Sequence, residues 1–211
     1  MNKNIITIID YNCGNIFSLI RILEKLNIKY NVSNDPKIIS KSDKLILPGV
    51  GSFSVGIDNL KKKNIDESIK KFVEKGNWIL GICLGMQLLV SNSEEFGDND
   101  GLDLIKGEVK KLKSTNKKRY KIPHVGWNSI NFKQNTYSDN FLKNVKNYSN
   151  FYFTHSFAVK TKLKDNTLAE TIYSENSFSS IISKENILGV QFHPEKSGIV
   201  GEKMIRNFLN L

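Results

Sequence analysis

The segment Gly81-Ile82-Cys83-Leu84-Gly85 places a sulfur nucleophile between two glycines. An apolar, strand-like run precedes it and an apolar, helix-like run follows it, which is the pattern of a nucleophile elbow. Small residues on both sides allow a sharp turn, and the dipole of the following helix favours the reactive thiolate. The backbone N–H of Leu84 can then donate to an oxyanion. The alternative interpretation is a buried cysteine beside packing glycines.

His193 and Glu195 could supply the base and the orienting acid that a thiol nucleophile needs. They lie two positions apart, directly after the apolar run Ile187–Gln191. If that run is a strand, both side chains can reach the C-terminal edge of a parallel sheet, where ligands bind. The other two histidines, His124 and His155, have no acid this close in sequence. A purely structural histidine is the alternative interpretation of His193.

The loop Pro48-Gly49-Val50-Gly51 follows another strand-like run. Two glycines beside an elbow could turn a backbone N–H toward the reaction centre, which would supply a second oxyanion donor. An ordinary strand-to-helix turn would have the same composition. The sequence therefore offers a nucleophile, a base with its acid, and two candidate oxyanion donors on three separate segments.

These segments need a scaffold that brings them to one edge. In the first half of the chain, apolar runs alternate with amphipathic segments, which predicts an α/β fold. We expect a mostly parallel central sheet flanked by helices on both faces. The predicted strands are Ile5–Asp10, Lys29–Val32, Lys44–Leu47 and Trp78–Ile82, and the predicted helices are 16–26, Phe53–Lys62, Ile65–Glu74 and Leu84–Val90.

The second half of the chain changes character, because short alternating runs replace the helical ones. We expect a β-rich later portion, followed by a last helix over Gly201–Leu209, all within a single domain of residues 1–211. The predicted strands are Val109–Leu112, Trp127–Phe132, Phe151–Phe157, Leu168–Tyr173, Phe178–Ser183 and Ile187–Gln191.

The chain of 211 residues carries a formal net charge of +10. Only three residues are arginine, and the lysines are spread along the chain, so we interpret most of this charge as a solvated surface and expect no nucleic-acid partner. The basic segment Lys106–Lys121 is denser than the rest. It is either a docking face for an acidic or phosphorylated partner, or a solvated loop.

No apolar run reaches the ~18–20 residues of a membrane span. The longest one, Trp78–Val90, is interrupted by two glycines, a cysteine and a glutamine. The N-terminal residues have no signal-peptide anatomy, and there are only two cysteines. We therefore expect a cytoplasmic protein with free thiols and no membrane contact.

Two motifs together resemble those of triad-type (class I) glutamine amidotransferases: Gly81–Gln87 and Gly189–Glu195. Within that superfamily, further segments resemble the glutaminase subunit of imidazole glycerol phosphate synthase, and the similarity covers essentially the whole chain. These segments are Asp10-Tyr11 with Gly14-Asn15, Pro48–Gly51, Pro123–Asn128, His193–Ser197 and a predicted turn at Gly107-Glu108-Val109.

The resemblance implies that Cys83 attacks the side-chain amide of glutamine, that His193 transfers the protons and that Glu195 holds the imidazole. It implies an oxyanion hole made by the Leu84 N–H and the Val50–Gly51 peptide, which reorients when the partner is loaded. Further roles follow from the same motifs. Glutamine binding falls to Gly49, Gln87, Glu95, Ser156 and Phe157, and the partner-facing positions are Asn12, Asn15 and Trp127.

The resemblance implies no cofactor and no metal. Because the chain has no Walker loop and no dinucleotide-binding glycine pattern, the chemistry that uses the ammonia is expected on another chain. The family's partner is a (β/α)₈-barrel cyclase, and a heterodimer is expected. That cyclase makes imidazole glycerol phosphate and an aminoimidazole carboxamide ribotide in histidine biosynthesis.

Other functions remain open at this point. The family's first loop usually has glycine where Asn12 stands, followed here by Cys13, and tyrosine is common where Phe157 stands. The altered loop and the basic segment would also fit a paralogue that feeds ammonia to a sugar amidotransferase of surface-polysaccharide synthesis. A free-standing Cys-His hydrolase of peptides or γ-glutamyl bonds, or a non-catalytic binding module, are alternatives of other classes.

Overall fold

The computed structural model describes residues 5–113, 121–133 and 140–211. Six α-helices and fourteen strands lie within these ranges. The helices are α1 (Ile16–Lys25), α2 (Pro36–Ile39), α3 (Phe53–Lys62), α4 (Ile65–Glu74), α5 (Leu84–Leu88) and α6 (Gly198–Leu209). The strands are β1 (Ile6–Ile9), β2 (Tyr30–Ser33), β3 (Lys44–Leu47), β4 (Trp78–Ile82), β5 (Val90–Ser93), β6 (Asn99–Asp100), β7 (Ile105–Lys111), β8 (His124–Ser129), β9 (Asn131–Phe132), β10 (Asn150–His155), β11 (Phe157–Thr161), β12 (Thr167–Tyr173), β13 (Asn176–Lys184) and β14 (Ile187–Val190).

A central sheet of eight strands has the order β2-β1-β3-β4-β14-β13-β12-β9. The first five strands in that order run parallel, and the last three are antiparallel to their neighbours. This confirms the predicted α/β class and the mostly parallel sheet with a β-rich later portion. Strands from both halves of the chain share the sheet; a single domain stays a prediction.

Both faces of the parallel part of the sheet are buried, as its continuous apolar strands require. On β3, Ile46 points into one apolar cluster, whereas Leu45 and Leu47 point into the other. Helices α1 and α6 cover the first face, and α3, α4 and α5 cover the second. The apolar stripe of α4, built around Ile69 and Phe72, shows why this segment is amphipathic.

Two smaller sheets flank the central one: β10 pairs with β8, and the other has the order β11-β7-β5-β6. The run Phe151–Phe157, predicted as one strand, is two strands separated at Ser156. Strand β10 pairs with β8, whereas β11 pairs with β7. The segment around Ser156 therefore crosses between two sheets, which brings its backbone to the edge where the elbow lies.

Two further expectations about local structure are wrong. The predicted helix Leu84–Val90 ends at Leu88, and Val90 begins β5. Gly107-Glu108-Val109 is not a turn but the middle of β7, where a Cβ on Gly107 would lie 2.8 Å from the Lys160 carbonyl oxygen of β11.

The basic segment is not simply a loop. Its first part, Lys106–Lys111, belongs to β7, and Lys110 lies 3.3 Å from carboxylate oxygens of both Glu94 and Glu108. Residues 114–120 lie outside the described residues, so the rest of the segment stays an expectation. Among the described residues, no helix is long and apolar enough to span a membrane. Within the same ranges, no group of three or more His, Cys, Asp and Glu side chains could hold a metal ion.

Candidate active site

Cys83 occupies the one-residue turn between β4 and α5, with φ 54° and ψ −108°. A side chain in this left-handed region is strained, and such strain is typical of functional sites. The turn is possible because the residues two positions before and after Cys83 are glycines. A Cβ on Gly81 would lie 2.7 Å from the Met86 nitrogen, and one on Gly85 only 1.8 Å from the Leu47 carbonyl oxygen. The geometry is that of the predicted nucleophile elbow.

The neighbouring strand β14 fixes the elbow from the side. The Cys83 N–H donates to the Val190 carbonyl at 2.8 Å, continuing the parallel ladder between β4 and β14. Cys83 itself is 6% exposed. Its Sγ accepts a long hydrogen bond from Nε2 of Gln191 at 3.7 Å and lies 4.0 Å from the Thr154 carbonyl oxygen.

Because β14 lies beside β4, the residues after β14 emerge next to the elbow. His193 Nδ1 and Glu195 Oε1 are 2.7 Å apart, and both side chains are almost fully buried. The backbone holds the imidazole in place, since the His193 N–H donates to the Tyr152 carbonyl and Ser197 Oγ donates to the His193 carbonyl. Thus, Nδ1 is occupied by the acid, and Nε2 is left for the nucleophile.

The charge state of His193 follows from two opposed effects. Burial alone lowers its pKa, but the interactions with Cys83 and Glu195 outweigh burial and raise the pKa to about 10. Nε2 makes no hydrogen bond to any described residue. Cys83 thus affects the pKa of the imidazole although no hydrogen bond joins the two side chains. Hydrogen bonds between catalytic groups often form fully only when substrate binds. A protonated imidazole at this place stabilises the thiolate.

A cavity of about 290 Å³ opens in front of the sulfur. This volume suits a ligand smaller than a typical drug, such as one amino acid. Most of its lining was predicted for catalysis, oxyanion binding or glutamine binding, and two lining residues, Thr154 and His155, were not. The predicted residues that line it are Val50, Gly51, Cys83, Leu84, Gln87, Glu95, Ser156 and Phe157.

Gly49 does not line this cavity. A Cβ at Gly49 would lie 2.6 Å from both the Leu84 Cβ and the Tyr11 hydroxyl, so this residue packs the loop against the elbow. It borders a smaller neighbouring cavity together with His193 and Glu195. The structure thus brings Gly49 to the site, but on the side of the imidazole.

The polar walls of the cavity are held by hydrogen bonds. Glu95 Oε2 accepts from the Phe53 N–H at 2.7 Å, at the start of α3, where a carboxylate is favourable. Nε2 of Gln87 donates to the Phe157 carbonyl at 2.9 Å and to Gln191 Oε1 at 3.1 Å. Gln191 is fully buried and was not predicted, although it lies inside the quoted motif Gly189–Glu195.

Hydrogen bonds to the first loop hold the candidate oxyanion loop, Pro48–Gly51. The Val50 N–H donates to the Cys13 carbonyl at 2.9 Å, so in this conformation it does not point at the sulfur. The buried Tyr11 hydroxyl donates to the Pro48 carbonyl at 2.7 Å. Gly51 has φ +107°, and no described atom lies within 4 Å of the place its Cβ would take.

The predicted partner-facing residues lie on or near the surface. Asn12 has φ 63°, and Asn15 caps α1, its Oδ1 accepting from the Ser18 N–H. Trp127 is 58% exposed and packs edge-on against Tyr152. The Lys196 amine lies 5.9 Å from the Tyr152 ring. Since Lys196 directly follows Glu195, this aromatic patch is continuous with the catalytic segment.

A cysteine elbow, a histidine with its glutamate and a small polar cavity on a parallel sheet have the arrangement of a site for a thiol nucleophile. A family model described as glutamine amidotransferase class-I matches residues 7–211. The chain belongs to the class-I glutamine amidotransferase family. Within this family, the chain groups with the HisH subunits of imidazole glycerol phosphate synthase, because it is 41–48% identical to the three relatives described next.

Three curated relatives illustrate the similarity. The chain is 48% identical to imidazole glycerol phosphate synthase subunit HisH 2 of Methanococcus maripaludis, over 97% of this chain and 98% of the relative. It is 41% identical to subunit HisH 1 of Legionella pneumophila strain Paris, over 98% and 99%. It is 42% identical to subunit HisH of Chlorobium chlorochromatii, over 97% and 98%.

Solved structures share the fold at low sequence identity. A structure of PurLQS from Thermotoga maritima superposes with a TM-score of 0.70 at 20% identity, covering 99% of this chain and 98% of that chain. The glutaminase domain of CTPS from Trypanosoma brucei, solved with bound acivicin, gives 0.67 at 17% identity, covering 98% and 94%. These likenesses agree with the α/β architecture described above.

Proposed function

We propose that this chain hydrolyses glutamine to glutamate and ammonia, and that a partner subunit uses the ammonia in histidine biosynthesis. The observation that carries this proposal is the arrangement of Cys83, His193 and Glu195 at a cavity of amino-acid size. The names of the relatives, all subunits of imidazole glycerol phosphate synthase, support the pathway.

In the proposed reaction, the Cys83 thiolate attacks the side-chain amide carbon of glutamine and forms a tetrahedral adduct. The Leu84 N–H, the first of helix α5, donates to the developing oxyanion. His193 gives its proton to the nitrogen, ammonia leaves and a γ-glutamyl thioester remains. Water then attacks the thioester while His193 accepts a proton, and glutamate departs as the thiolate is restored. Glu195 keeps the imidazole oriented through both halves of the reaction.

The N–H of the Val50–Gly51 peptide is that of Gly51. The Val50 N–H belongs to the preceding peptide and is bonded to the Cys13 carbonyl, so the loop is held one peptide before the proposed donor. We propose that the Val50–Gly51 peptide turns toward the oxyanion when the partner binds. The first loop, which contains Asn12 and Cys13, holds the neighbouring peptide and is also a predicted partner contact. Docking on that loop would therefore couple glutamine hydrolysis to assembly.

The proposed partner is a cyclase with a (β/α)₈ barrel, in a heterodimer. The exposed aromatic patch of Trp127 and Tyr152 supports a docking face, since large apolar side chains are enriched at interfaces. Both cysteines are free thiols, which fits the proposed location in a reducing cytoplasm. The sugar-amidotransferase and free-standing hydrolase alternatives are not favoured, because the relatives at 40–48% identity bear the name of the histidine enzyme.

The test measures glutamate release from glutamine by the purified chain, alone and then with the cyclase and its nucleotide ligand. Strong stimulation only in the complex is expected. Without stimulation, and with Cys83 still labelled by a glutamine-analogue alkylator, glutamine hydrolysis would stand and the partner assignment would be wrong.

Cys83→Ala is the control for the chemistry. In the complex it should abolish glutamine-dependent product formation and leave the reaction with added ammonium salts intact, because only the source of ammonia is removed. Loss of both reactions would mean that Cys83 is needed for structure or assembly instead.

A further inference from the structure

Two buried histidines outside the triad form a continuous chain of hydrogen bonds. His155 Nδ1 lies 2.8 Å from the Phe157 carbonyl oxygen, and His155 Nε2 lies 3.1 Å from His124 Nδ1. At the far end, His124 Nε2 lies 3.4 Å from Nδ2 of Asn128. The chain therefore runs from strand β8 to the wall of the glutamine cavity.

The direction of every bond in this chain is determined. A carbonyl oxygen can only accept, so His155 Nδ1 carries the hydrogen, and in the neutral ring its Nε2 accepts. His124 must then donate from Nδ1, and its Nε2 accepts from the Asn128 amide. Both rings must be neutral for this arrangement. Burial lowers the pKa of His124 to about 4. Burial, together with the repulsion that a second charge beside His124 would meet, lowers the pKa of His155 to about 3, so both rings are neutral at pH 7.

The rings have little freedom to leave these positions. His124 is stacked on Tyr173 with ring centroids 3.9 Å apart and on Phe153 at 4.9 Å. His155 meets the edge of Phe178 at 5.0 Å. The aromatic surroundings alone would explain two packed histidines. They do not explain why the chain of donors ends on a cavity residue.

The Phe157 carbonyl is the point where this chain meets the site. It accepts from His155 and also from Nε2 of Gln87, which donates in addition to Gln191 Oε1. Gln191 in turn donates to the Cys83 sulfur. A single backbone carbonyl thus accepts from His155, whose ring is held by His124, and it fixes the orientation of the Gln87 side chain that lines the cavity.

We propose that His124 and His155 are positioning residues for glutamine binding: they hold the Phe157 carbonyl, and through it the Gln87 amide, in the orientation that the substrate requires. The inference rests on the proposed function, because glutamine is taken as the ligand of the cavity. Without the donor at His155 Nδ1, Gln87 becomes free to shift, and affinity for glutamine falls while the sulfur and His193 keep their places.

The test uses two substitutions of similar size and polarity in the full chain, assayed in complex with the cyclase. In His155→Asn the amide lies near the position of Nδ1 and can still donate to the Phe157 carbonyl. In His155→Gln the amide reaches the position of Nε2 and preserves the contact to His124 instead. We expect the KM for glutamine to be at least tenfold higher in His155→Gln than in His155→Asn, with kcat values within about threefold of each other.

A merely structural role would lower the Tm of both variants and leave their KM values alike, and that result would overturn the inference. If one variant fails to fold, the other is compared with the wild type. His155→Asn should keep the KM for glutamine within about threefold of the wild-type value, and His155→Gln should raise it at least tenfold; the opposite result in either variant would contradict the proposal. If the wild-type complex does not hydrolyse glutamine, the proposed function is wrong and this inference falls with it.

Discussion

Two neighbouring loops of the site are held in opposite ways. The elbow is fixed by steric contact, because its glycines lie so close to other backbone that no side chain fits. The loop Pro48–Gly51 packs against the elbow at Gly49, but Pro48 and Val50 are held by hydrogen bonds to the first loop, and Gly51 has open space around it. Contacts of the first kind cannot be exchanged without moving the core, whereas hydrogen bonds can be exchanged for others at little cost.

The difference separates the part of the site that is always ready from the part that can be controlled. The nucleophile and its imidazole lie on the rigid sheet edge. The proposed second oxyanion donor, the Val50–Gly51 peptide, lies on the loop Pro48–Gly51, where the adjacent Val50 N–H is bonded to Cys13 of the predicted partner-facing segment. Under the proposed function, this division would make ammonia release depend on the partner, because only the proposed oxyanion donor would need to move.

The largest effect is expected from Gly85→Ala, which tests whether steric contact holds the elbow. The new Cβ would lie 1.8 Å from the Leu47 carbonyl oxygen, so β3 and α5 would have to separate. We expect the free energy of unfolding to fall by more than ~3 kcal/mol, as for severe overpacking, and Cys83 to lose its reactivity with glutamine analogues. Chemical denaturation and labelling measure the two effects.

The matched control is Gly56→Ala in helix α3, where a Cβ would meet only the flexible ends of leucine side chains at 3.2 Å or more. Alanine is favoured over glycine in helices, so stability should change little. If Gly85→Ala is as stable as this control, the elbow is not held by contact.

The next largest effect concerns the positive charge of His193 beside the elbow. His193→Ala removes the cation beside Cys83, so alkylation of Cys83 by iodoacetamide should become slower. At pH 6.5 we expect the rate of Cys83 alkylation to fall at least tenfold. Peptide mass spectrometry measures this rate at Cys83 alone, because Cys13 is a second thiol. Equal rates in variant and wild type would show that the imidazole does not activate the sulfur.

The same substitution has a predicted signature in stability. Because the pKa of His193 is raised in the folded state to about 10, its proton stabilises the fold fully below pH 6.5, the ordinary value. That contribution declines from pH 6.5 and is lost as the pH rises through 10. The difference in Tm between wild type and His193→Ala should therefore narrow over this window.

The elements around the elbow, and the elbow itself, were also the parts of the molecule that could be predicted from the sequence. Strands β3 and β4 and helices α3 and α4 have the predicted bounds, because each combines a regular apolar period with clear stop signals. The elbow followed from local glycine spacing, and the His193–Glu195 pair from two residues at a strand end. All of these are short-range patterns.

What the sequence could not predict depends on contacts between distant segments. The bond between Val50 and Cys13, the insertion of Gln191 between Gln87 and the sulfur, and the histidine chain all join residues that are far apart along the chain. No periodic pattern marks them. The break at Ser156 was missed for a similar reason, since only the pairing with two different sheets divides that apolar run.

A smaller effect is expected from Gly51→Ala in the loop Pro48–Gly51. Gly51→Ala meets no described atom, but alanine at φ +107° costs about 1–3 kcal/mol, so the resting backbone is disfavoured. We expect altered glutamine turnover with labelling of Cys83 by iodoacetamide within about twofold of wild type. Gly76→Ala, at φ +82° and also in open space, should lose similar stability without the change in turnover. Equal turnover in both variants would contradict a role for this loop.

The smallest effect is expected from Tyr11→Phe, which removes only the hydroxyl that donates to the Pro48 carbonyl. Because Tyr11 is 1% exposed and its ring remains, the loss of stability should be that of one neutral hydrogen bond, about 1 kcal/mol. If this bond restrains the oxyanion loop, glutamine hydrolysis by the isolated chain should increase, while hydrolysis in the complex changes less. If the isolated chain and the complex change by the same factor, Tyr11 supports only the packing of the loop, and the Val50–Cys13 bond alone holds the resting state.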